Sequence, residues 1–453
     1  MLNPEASSSA SRGSSGPTLR IAFHVVEPFH HEVLDPVYNL LKDDFPCLLS
    51  ADQREIVVFK PDVLLLSQLP FTFWREHLPD TRIVFLRHGF SSKNTGGKCM
   101  AGADYACVTS QWSRDQFINE GFVPRHEFWV TGFIPLDPLL SVISHQPGAP
   151  ALAPHPLAKT SGPTLLYAPT HNPLLSSAPC FLEDWIAPLR AEVPNLRIII
   201  KPHPVTAKNN PEWIAAWSRL AQHDPRVHLV TDTHSSIYTL LPHADVLFTD
   251  VSSVMFYFLA LDRPIILFAN PDHTRDPNFN DPTGPEWAWR DMARSISSPH
   301  ELANAMREAI RHPDARADRR ALYRERVFGT LLDGRAAERV AEHIRSLQTH
   351  NPVTASDDTE EWADLDHRHL VSLLRSLGDQ VAILNREVSR LRCIESSLAV
   401  RFAIKTADRL ERMPLLRNSL RKLISRFMNR SSPSTATNPP SIHAESESPN
   451  HEP

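Results

Sequence analysis

Short apolar runs alternate with polar, helix-compatible stretches along most of the chain. From Thr18 to about Val142, runs such as LRIAFHVV, PDVLLLS and RIVFLRH are typical of buried parallel strands. A second series begins at TLLYAPT and ends at PIILFAN. Alternating strands and helices of these lengths predict doubly wound parallel sheets, with functional residues at the carboxyl ends of the strands. The pattern therefore predicts an α/β fold with two Rossmann-like domains.

Changes in composition divide the chain further. A stretch rich in proline and alanine indicates a linker between the two domains. Polar, low-complexity ends indicate disorder. The predicted segments are a disordered lead at 1–17, a first domain at 18–145, a linker at 146–163, a second domain at 164–348, a coiled-coil helix at 365–398, basic amphipathic helices at 399–430 and a disordered tail at 431–453.

Leucines and valines follow a four-three spacing in the C-terminal part of the chain. The seam comprises Leu370, Leu374, Leu377, Val381, Leu384, Val388, Leu391 and Leu398, interrupted by Glu395. This spacing predicts a coiled coil, and with it a homo-oligomer formed through 370–398. Gly378 and the short length leave a second interpretation open, in which one amphipathic helix folds back on the rest of the chain.

The segment 401–430 is strongly basic. Nine arginines and lysines stand against Asp408 and Glu411, which gives a local charge of +7. Apolar residues between them indicate amphipathic helices, which Pro414 divides. Such a segment is predicted to bind an anionic membrane surface, with salt-sensitive binding to anionic vesicles as the expected behaviour. A solvated helix pair is the alternative.

Composition excludes several classes of protein. The 453 residues carry a net charge of −5, which argues against a nucleic-acid partner. Five cysteines without a CxxC pair indicate neither a disulfide framework nor a zinc knuckle, and favour a reducing compartment. The N-terminus lacks the features of a signal peptide, and no run reaches eighteen apolar residues. We therefore expect a cytoplasmic protein, peripheral on the cytoplasmic face of the cell membrane, without a bound metal or other cofactor.

Oxygen-bearing residues crowd one predicted strand-to-helix turn in the second domain. In ADVLFTDVSSVMFYFLALDRPIILF these are Thr249, Asp250, Ser252 and Ser253. Side chains of this kind cap helices, and the free amides of such a turn also attract anions. The turn is therefore either a simple cap or a phosphate-binding site.

Two histidines follow predicted strands, one in each domain. His88 lies after a strand and before Gly89, and an imidazole there is either a general base or a structural residue. His203 lies between two prolines in KPHP, and the prolines hold the backbone of this strand end rigid. Lys201 of the same motif is placed to reach a phosphate or to cap the sheet edge.

Together these stretches resemble the CDP-glycerol glycerophosphotransferase family, the enzymes of the teichoic-acid primase and polymerase type. TDVSS is similar to the family's Thr-Asp-x-Ser-Ser signature, which precedes its Asp-Arg-Pro. Four further elements occur in the family's order over roughly residues 80 to 345: RHGFSSK at 87–93, YAPTH at 167–171, KPHP at 201–204 and DGRAAERV at 333–340. The resemblance implies the GT-B architecture, in which two Rossmann-like domains face a cleft and the second holds the donor nucleotide.

The resemblance also implies roles for individual residues. His88 takes the position of the base, and His203 would contact the bridging or β-phosphate oxygens. The donor phosphates and nucleotide would be held by Thr249, Asp250, Ser252, Ser253, Lys201, Thr170 and His171. The acceptor side would include Gly89, Ser91 and Lys93. Phe90, Ser91 and Ser92 replace the family's Thr-Pro-Leu, and His171 replaces a bulky residue, which suggests that the acceptor or the transferred group differs from glycerol phosphate.

The function that the resemblance implies is a transferase. It would move glycerol phosphate, or a related polyol or sugar phosphate, from a CDP-activated donor to a polysaccharide or lipid-linked acceptor, and release CMP by in-line displacement. One alternative is a GT-B glycosyltransferase that uses a nucleotide sugar. The other is a non-catalytic subunit that binds nucleotide or membrane and organises an assembly.

Overall fold

The computed structural model describes six stretches of the chain and a few separate helical residues. The stretches are 18–68, 71–90, 100–143, 162–232, 236–275 and 283–349, and the separate residues are Gly378, Val381, Leu384, Asn385 and Val388. The chain divides into two compact units between Leu377 and Gly378, and both α/β domains lie in the first unit. The lead, most of the linker and of the coiled-coil segment, the basic segment and the tail lie outside the described residues.

The first half of the described chain forms a six-stranded parallel sheet. Its strand order is β2-β1-β3-β4-β5-β6. The strands are β1 (Ile21–His24), β2 (Cys47–Ser50), β3 (Val63–Leu66), β4 (Arg82–Phe85), β5 (Tyr105–Val108) and β6 (Glu127–Val130). The order reverses between β1 and β3, so a crevice opens at their carboxyl ends.

The second half forms another parallel sheet, in which six strands are described. Its order is β12-β11-β10-β7-β8-β9, and the reversal lies between β7 and β10. The strands are β7 (Thr164–Tyr167), β8 (Arg197–Ile200), β9 (Val227–Leu229), β10 (Val246–Thr249), β11 (Ile265–Phe268) and β12 (Arg294–Ile296). Two doubly wound parallel sheets confirm the predicted α/β fold.

Helices connect the strands on both faces of each sheet. In the first half they are α1 (His31–Leu41), α2 (Gln53–Phe59), α3 (Thr72–His77), α4 (Gln111–Asn119) and α5 (Asp137–Ile143). In the second half they are α6 (Ile186–Glu192), α7 (Thr206–Asn209), α8 (Pro211–His223), α9 (Ile237–Leu240), α10 (Val254–Phe258), α11 (Pro285–Ala288), α12 (Leu302–Arg311), α13 (Ala317–Phe328) and α14 (Ala336–Thr349). None of the helices in the described stretches is long and apolar enough to cross a membrane.

Alternation of side chains explains why the strands are apolar throughout. Ile21 and Phe23 of β1 pack under α1 on one face of the first sheet, while Ala22 packs on the opposite face with Leu64. The second sheet is built in the same way, because Leu247 and Phe248 belong to clusters on opposite faces. Helices therefore cover both faces, as parallel sheets require.

The last described helix of the first unit returns to the first sheet. Val340 and Ile344 of α14 pack in the same cluster as residues of β1 and α1, and Arg345 pairs with Asp44 at 2.8 Å. The predicted second domain, 164–348, thus ends in a helix that packs on the first sheet. The amphipathic pattern of α14 shows that one face is buried, but it does not show which domain buries it.

Asp137 fixes the start of α14 across this crossing. Its carboxylate oxygens accept hydrogen bonds from the amides of Ala336 at 3.0 Å and Ala337 at 2.8 Å. Gly334, at φ +70°, lies so close that an added Cβ would stand 2.4 Å from Oγ of Ser141. The stretches around 132–137 and 333–340 are thus one packed structure.

Replacing Asp137 with alanine is expected to lower the free energy of unfolding by about 1–2 kcal/mol, because two amides of the α14 N-terminus lose their acceptor. Burial raises the pKa of Asp137 to about 6, so the folded state holds this proton more tightly than the unfolded chain. The contribution of this carboxyl to the free energy of unfolding therefore falls as pH rises from roughly 4 to about 6, and it is constant below and above that range.

Urea unfolding between pH 4 and 8 tests both statements, with Asp137→Asn as the control that keeps one acceptor and does not titrate. The difference in unfolding free energy between wild type and Asp137→Asn should change across pH 4 to 6. A difference that is constant over this range would contradict the raised pKa.

Candidate functional site

His88 lies beyond the end of β4, beside the reversal point of the first sheet. Its Nδ1 is 2.6 Å from the carbonyl oxygen of Ser67, which follows β3. A carbonyl oxygen only accepts, so Nδ1 carries the proton and Nε2 of the neutral ring carries the free lone pair. Although residue 88 reaches solvent, desolvation by the surrounding protein lowers its pKa below 6.5, and the Arg87 charge lowers it further. His88 is therefore a neutral ring at pH 7 with Nε2 ready to accept a proton.

A second imidazole, which sequence analysis did not single out, lies next to this one. The ring of His30 is fully buried and its centroid is 5.4 Å from that of His88. Nδ1 of His30 accepts from the amides of Val26 at 3.2 Å and Glu27 at 3.4 Å. Desolvation first, and then the neighbouring histidines, lower its pKa to about 4. His30 is thus held neutral, and its buried ring lies against the ring of His88.

His203 lies on the exposed tip that follows β8 in the second sheet. Its Nδ1 accepts from the amide of Val205 at 3.4 Å, which places the proton of the neutral ring on Nε2. The ring lies 4.6 Å, centroid to centroid, from that of His171, which follows β7. The prediction that these two histidines share a strand-end site is consistent with this contact. His203 and His88 thus hold opposite tautomers.

Asp250, in the turn after β10, is fully buried and holds this edge of the sheet together. Oδ1 accepts from the amides of Val251 at 2.7 Å and Thr170 at 3.0 Å. Oδ2 accepts from the amide and the hydroxyl of Ser177, both at 2.8 Å. Burial raises the pKa of Asp250, and these four donors oppose the rise. The carboxylate joins the loops after β7 and β10 at the reversal point.

Several residues predicted to contact the donor are buried and bonded elsewhere. Thr249 is fully buried, and its hydroxyl donates to the carbonyl of Ala168 at 2.6 Å. Thr170 is 3% exposed. In this structure Thr249, Asp250 and Thr170 hold the turn together, and their part in binding the donor stays a prediction. Ser252 and Ser253 stay half-buried and are the two side chains of the turn that reach its surface.

Lys201 was predicted to reach a phosphate or to cap the sheet edge. It is 8% exposed and its ammonium donates to the carbonyl of Asp232 at 2.7 Å, which matches the capping role. Desolvation lowers its pKa, while Asp232 and Glu32 raise it. Glu32, at the start of α1 in the first domain, lies near Ser236 and Lys201, and both oppose the rise in its pKa that burial causes. At this edge of the site, polar groups of the two domains therefore lie close together.

Tyr257 of α10 contacts the loop that follows His88. The turn that carries Ser252 and Ser253, here called the serine turn, lies directly before α10. Its hydroxyl accepts from the amide of Phe90 at 3.3 Å. A Cβ added to Gly89 would lie 3.3 Å from this hydroxyl and 3.9 Å from Oγ of Ser253. Phe133 stacks on the ring of Tyr257 at 5.2 Å. The residues that follow His88 are thus in direct contact with the helix that begins directly after Ser252 and Ser253.

Two predicted acceptor-side residues, Ser91 and Lys93, lie outside the described residues, whereas Gly89 lies in the contact just described. Within the described stretches, no group of three or more His, Cys, Asp or Glu side chains is arranged to hold a metal ion. Sequence reasoning missed His30 and Tyr257. The HH pair at 30 and 31 and the aromatic residue in MFYF were visible, but neither pattern indicates which distant residue its side chain contacts.

The sequence matches one protein-family model, described as CDP-Glycerol:Poly(glycerophosphate) glycerophosphotransferase, over residues 80–346. This range contains His88, His203 and the serine turn, but neither His30 nor Glu32. No curated protein matches the sequence.

Solved structures with a similar fold include two of the wall teichoic acid polymerase TagF. The first has 14% sequence identity and a TM-score of 0.55, covering 73% of this chain and 89% of that one. The second is a variant soaked with CDPG, with 13% identity and a TM-score of 0.52 over 73% and 88%. A putative UDP-N-acetylglucosamine 2-epimerase from Listeria monocytogenes has 13% identity and a TM-score of 0.51 over 74% and 98%. At these identities the likeness establishes the fold, which is that of the GT-B proteins.

The two site histidines are expected to show opposite neutral tautomers in nitrogen-15 NMR of protein labelled at histidine. At pH 7.5, His88 should carry its proton on Nδ1 and His203 on Nε2, because the first is bonded to a carbonyl oxygen and the second to an amide. His88→Gln and His203→Gln variants assign the signals. A His88 ring protonated on Nε2 would contradict the orientation of the base.

Proposed function

This chain belongs to the CDP-glycerol:poly(glycerophosphate) glycerophosphotransferase family, and we propose that it transfers glycerol phosphate, or a closely related polyol phosphate, from a CDP-linked donor to a hydroxyl of a polymer or lipid-linked acceptor. The observation that carries the proposal is the contact of the loop after His88 with Tyr257, on the helix that follows the serine turn. It brings a base with a free lone pair to the turn at the reversal point of the second sheet.

In the proposed reaction the acceptor hydroxyl attacks the phosphorus that bears the glycerol. Nε2 of His88 takes the hydroxyl proton as the new P–O bond forms. The bond between this phosphorus and the bridging oxygen breaks, and CMP leaves with that oxygen. The neutral, desolvated state of His88 suits this role, because the ring must be unprotonated before it acts.

His203 serves the leaving group in this proposal. With its proton on Nε2, it is a hydrogen-bond donor, which suits contact with the bridging or β-phosphate oxygens of the donor. The hydroxyls of Ser252 and Ser253 are proposed to bind the donor phosphates, and His171, in ring contact with His203, lines the same site. We propose that these protein groups carry out this step without a metal or other cofactor.

The acceptor is proposed from the family description, which names poly(glycerophosphate). A teichoic-acid-like or capsular polysaccharide of the cell envelope belongs to the same chemical class, since it presents a terminal hydroxyl. Phe90 in place of the family's threonine packs against Phe256 at 4.9 Å, so the first position after the base glycine is filled by an apolar contact between domains. This change is why the proposal extends to related polyol phosphates.

Purified protein incubated with CDP-glycerol and a membrane extract is expected to release CMP. His88→Gln should lower the rate by about a hundredfold to ten-thousandfold, the range typical of a general base. His223→Gln is the matched control, because Nδ1 of His223 also bonds a backbone carbonyl, that of Arg219 at 2.7 Å, on an exposed helix end. CDP-ribitol, UDP-glucose and GDP-mannose complete the donor panel.

Release of UDP or GDP instead of CMP would show a sugar transferase. Absence of turnover with every donor, combined with unchanged polymer in cells that carry His88→Gln, would favour a non-catalytic subunit. Equal loss of rate in His88→Gln and His223→Gln would contradict the assignment of the base.

We further propose that the chain forms a homo-oligomer through 370–398 and meets anionic membrane on the cytoplasmic side through 401–430. Support for the oligomer comes from three described residues, Val381, Leu384 and Val388, which are helical and 56%, 64% and 44% exposed. Their spacing is that of a coiled-coil seam, and exposed aliphatic side chains at this spacing favour burial against a second copy. The basic segment lies outside the described residues, and its membrane contact stays a prediction from composition.

Leu384→Lys is expected to reduce the mass measured by light scattering to that of one chain, because a charge replaces a seam residue. Asn385→Lys is the matched control, since it places the same charge on the next residue of the same helix. A wild type that already has the mass of one chain, or a mass unchanged in Leu384→Lys, would exclude the coiled-coil oligomer.

A further inference from the structure

A cationic side chain lies beside the serine turn on the side away from His203. Arg290 follows α11, and its Nη1 approaches the carbonyl oxygen of Asp250 at 3.4 Å. Its Nε approaches Oγ of Ser295, in β12, at the same distance. Both contacts are at the outer limit of a hydrogen bond. The guanidinium is therefore held near the turn by weak contacts that leave capacity for a stronger acceptor.

Trp287 supports this guanidinium. The guanidinium carbon of Arg290 lies 4.9 Å from the centroid of the Trp287 ring, a cation–π contact. The ring of His273, which follows β11, stacks on Trp287 at 4.3 Å. His273 in turn is fixed because its Nδ1 bonds the carbonyl of Asn270 at 2.6 Å. The stack therefore orients Arg290 from behind and connects it to the carboxyl end of β11.

Two hydrogen-bond donors of this pair are buried without an acceptor. Among the described residues, Nη2 of Arg290 and Nε1 of Trp287 have no partner. A buried donor without an acceptor is destabilising by about 1–3 kcal/mol, and more when it is charged. Adjacent unsatisfied donors, one of them charged, are therefore an arrangement that an oxyanion stabilises.

The charge of Arg290 also lacks a matched counter-charge. No carboxylate in the described stretches forms an ion pair with it, and Asp250, whose charge raises the pKa of Arg290, already accepts four hydrogen bonds from other groups. Desolvation lowers the pKa of Arg290 to about 10, with Asp250 as the opposing influence. Cations that the surrounding protein desolvates are normally paired with an anion. An unpaired cation beside the serine turn therefore indicates an anionic ligand.

The strand order places the two flanks of the turn. In β12-β11-β10-β7-β8-β9, the serine turn follows β10, His203 follows β8 on one side, and Arg290 lies towards β11 and β12 on the other. A diphosphate bound at the turn thus extends towards a donor on each flank. His203 is assigned above to the oxygens near the reacting phosphorus, which leaves the other flank for the phosphate that carries the nucleoside.

We propose that Arg290, oriented by Trp287, binds the nucleoside-linked phosphate of the CDP donor. The proposal rests on the proposed function for the identity of the nucleotide. Arg290 supplies Nη2 and Trp287 supplies Nε1 to oxygens of that phosphate, after a small rotation of the half-buried guanidinium. The two residues thereby fix the end of the donor that does not react, and the β-phosphorus is positioned between His203 and the base.

The test measures binding rather than turnover. Full-length wild type, Arg290→Gln, Arg290→Lys and Trp287→Phe are titrated with CDP by calorimetry, and with cytidine by ligand-observed NMR. Arg290→Gln should weaken CDP binding by about tenfold or more, because a charged hydrogen-bond donor is lost, and should leave cytidine binding unchanged. Arg290→Lys should be intermediate, and Trp287→Phe, which keeps the ring, should lose about threefold to tenfold.

Arg307→Gln is the control for loss of one positive charge. Arg307 lies on α12 and pairs with Glu192 of α6 at 2.8 Å, and neither residue belongs to the site. Equal CDP affinity in Arg290→Gln and Arg307→Gln would overturn the inference while the proposed function stands. Equal losses for CDP and cytidine would also overturn it, because they would show a collapsed pocket. A wild type that binds neither CDP nor CDP-glycerol would overturn the proposed function itself.

Discussion

The buried carboxylate of Asp250 is the contact on which the second half of the site depends. It stands at the point where the strand order reverses, between β7 and β10, and its four donors come from both sides of that point. Removing the charge from water is unfavourable, and the carboxylate persists there only because its acceptor capacity is filled. Filling it in this way turns the carboxylate away from the surface where Ser252 and Ser253 lie, so an anion bound at that surface does not face it.

Each domain then contributes a histidine whose tautomer is set by the backbone. Nδ1 of His88 donates to a carbonyl oxygen, whereas Nδ1 of His203 accepts from an amide. In the neutral rings, Nε2 of His88 therefore carries a lone pair and Nε2 of His203 carries a proton. The difference needs no ionised side chain and does not depend on a metal. The hydrogen bonds that set the two tautomers come from loops at the strand ends. Which ring accepts a proton and which donates one therefore follows from where the strands end.

Sequence reasoning reached the strand ends but not the contacts across the molecule. Apolar runs that alternate with helix-compatible stretches were sufficient to predict both sheets, and His88 and His203 were placed at strand ends from the same pattern. For Thr249 and Asp250 the residues alone left a helix cap and a phosphate site open, because a polar side chain after a strand has the same signature whether it points outward or inward. His30, Tyr257 and α14 depend on partners in distant parts of the chain, which periodicity within one segment does not encode.

The interface between the domains adds a constraint on the chemistry. The hydroxyl of Tyr257 accepts a hydrogen bond from the amide of Phe90, two residues from His88, and Glu32 lies near Ser236 and Lys201. The domains therefore touch at residues next to His88 and Lys201. Phe90 belongs to this interface, because its ring packs against that of Phe256 in the second domain at 4.9 Å. An apolar residue suits this contact, whereas a polar side chain would lose water there without gaining a partner.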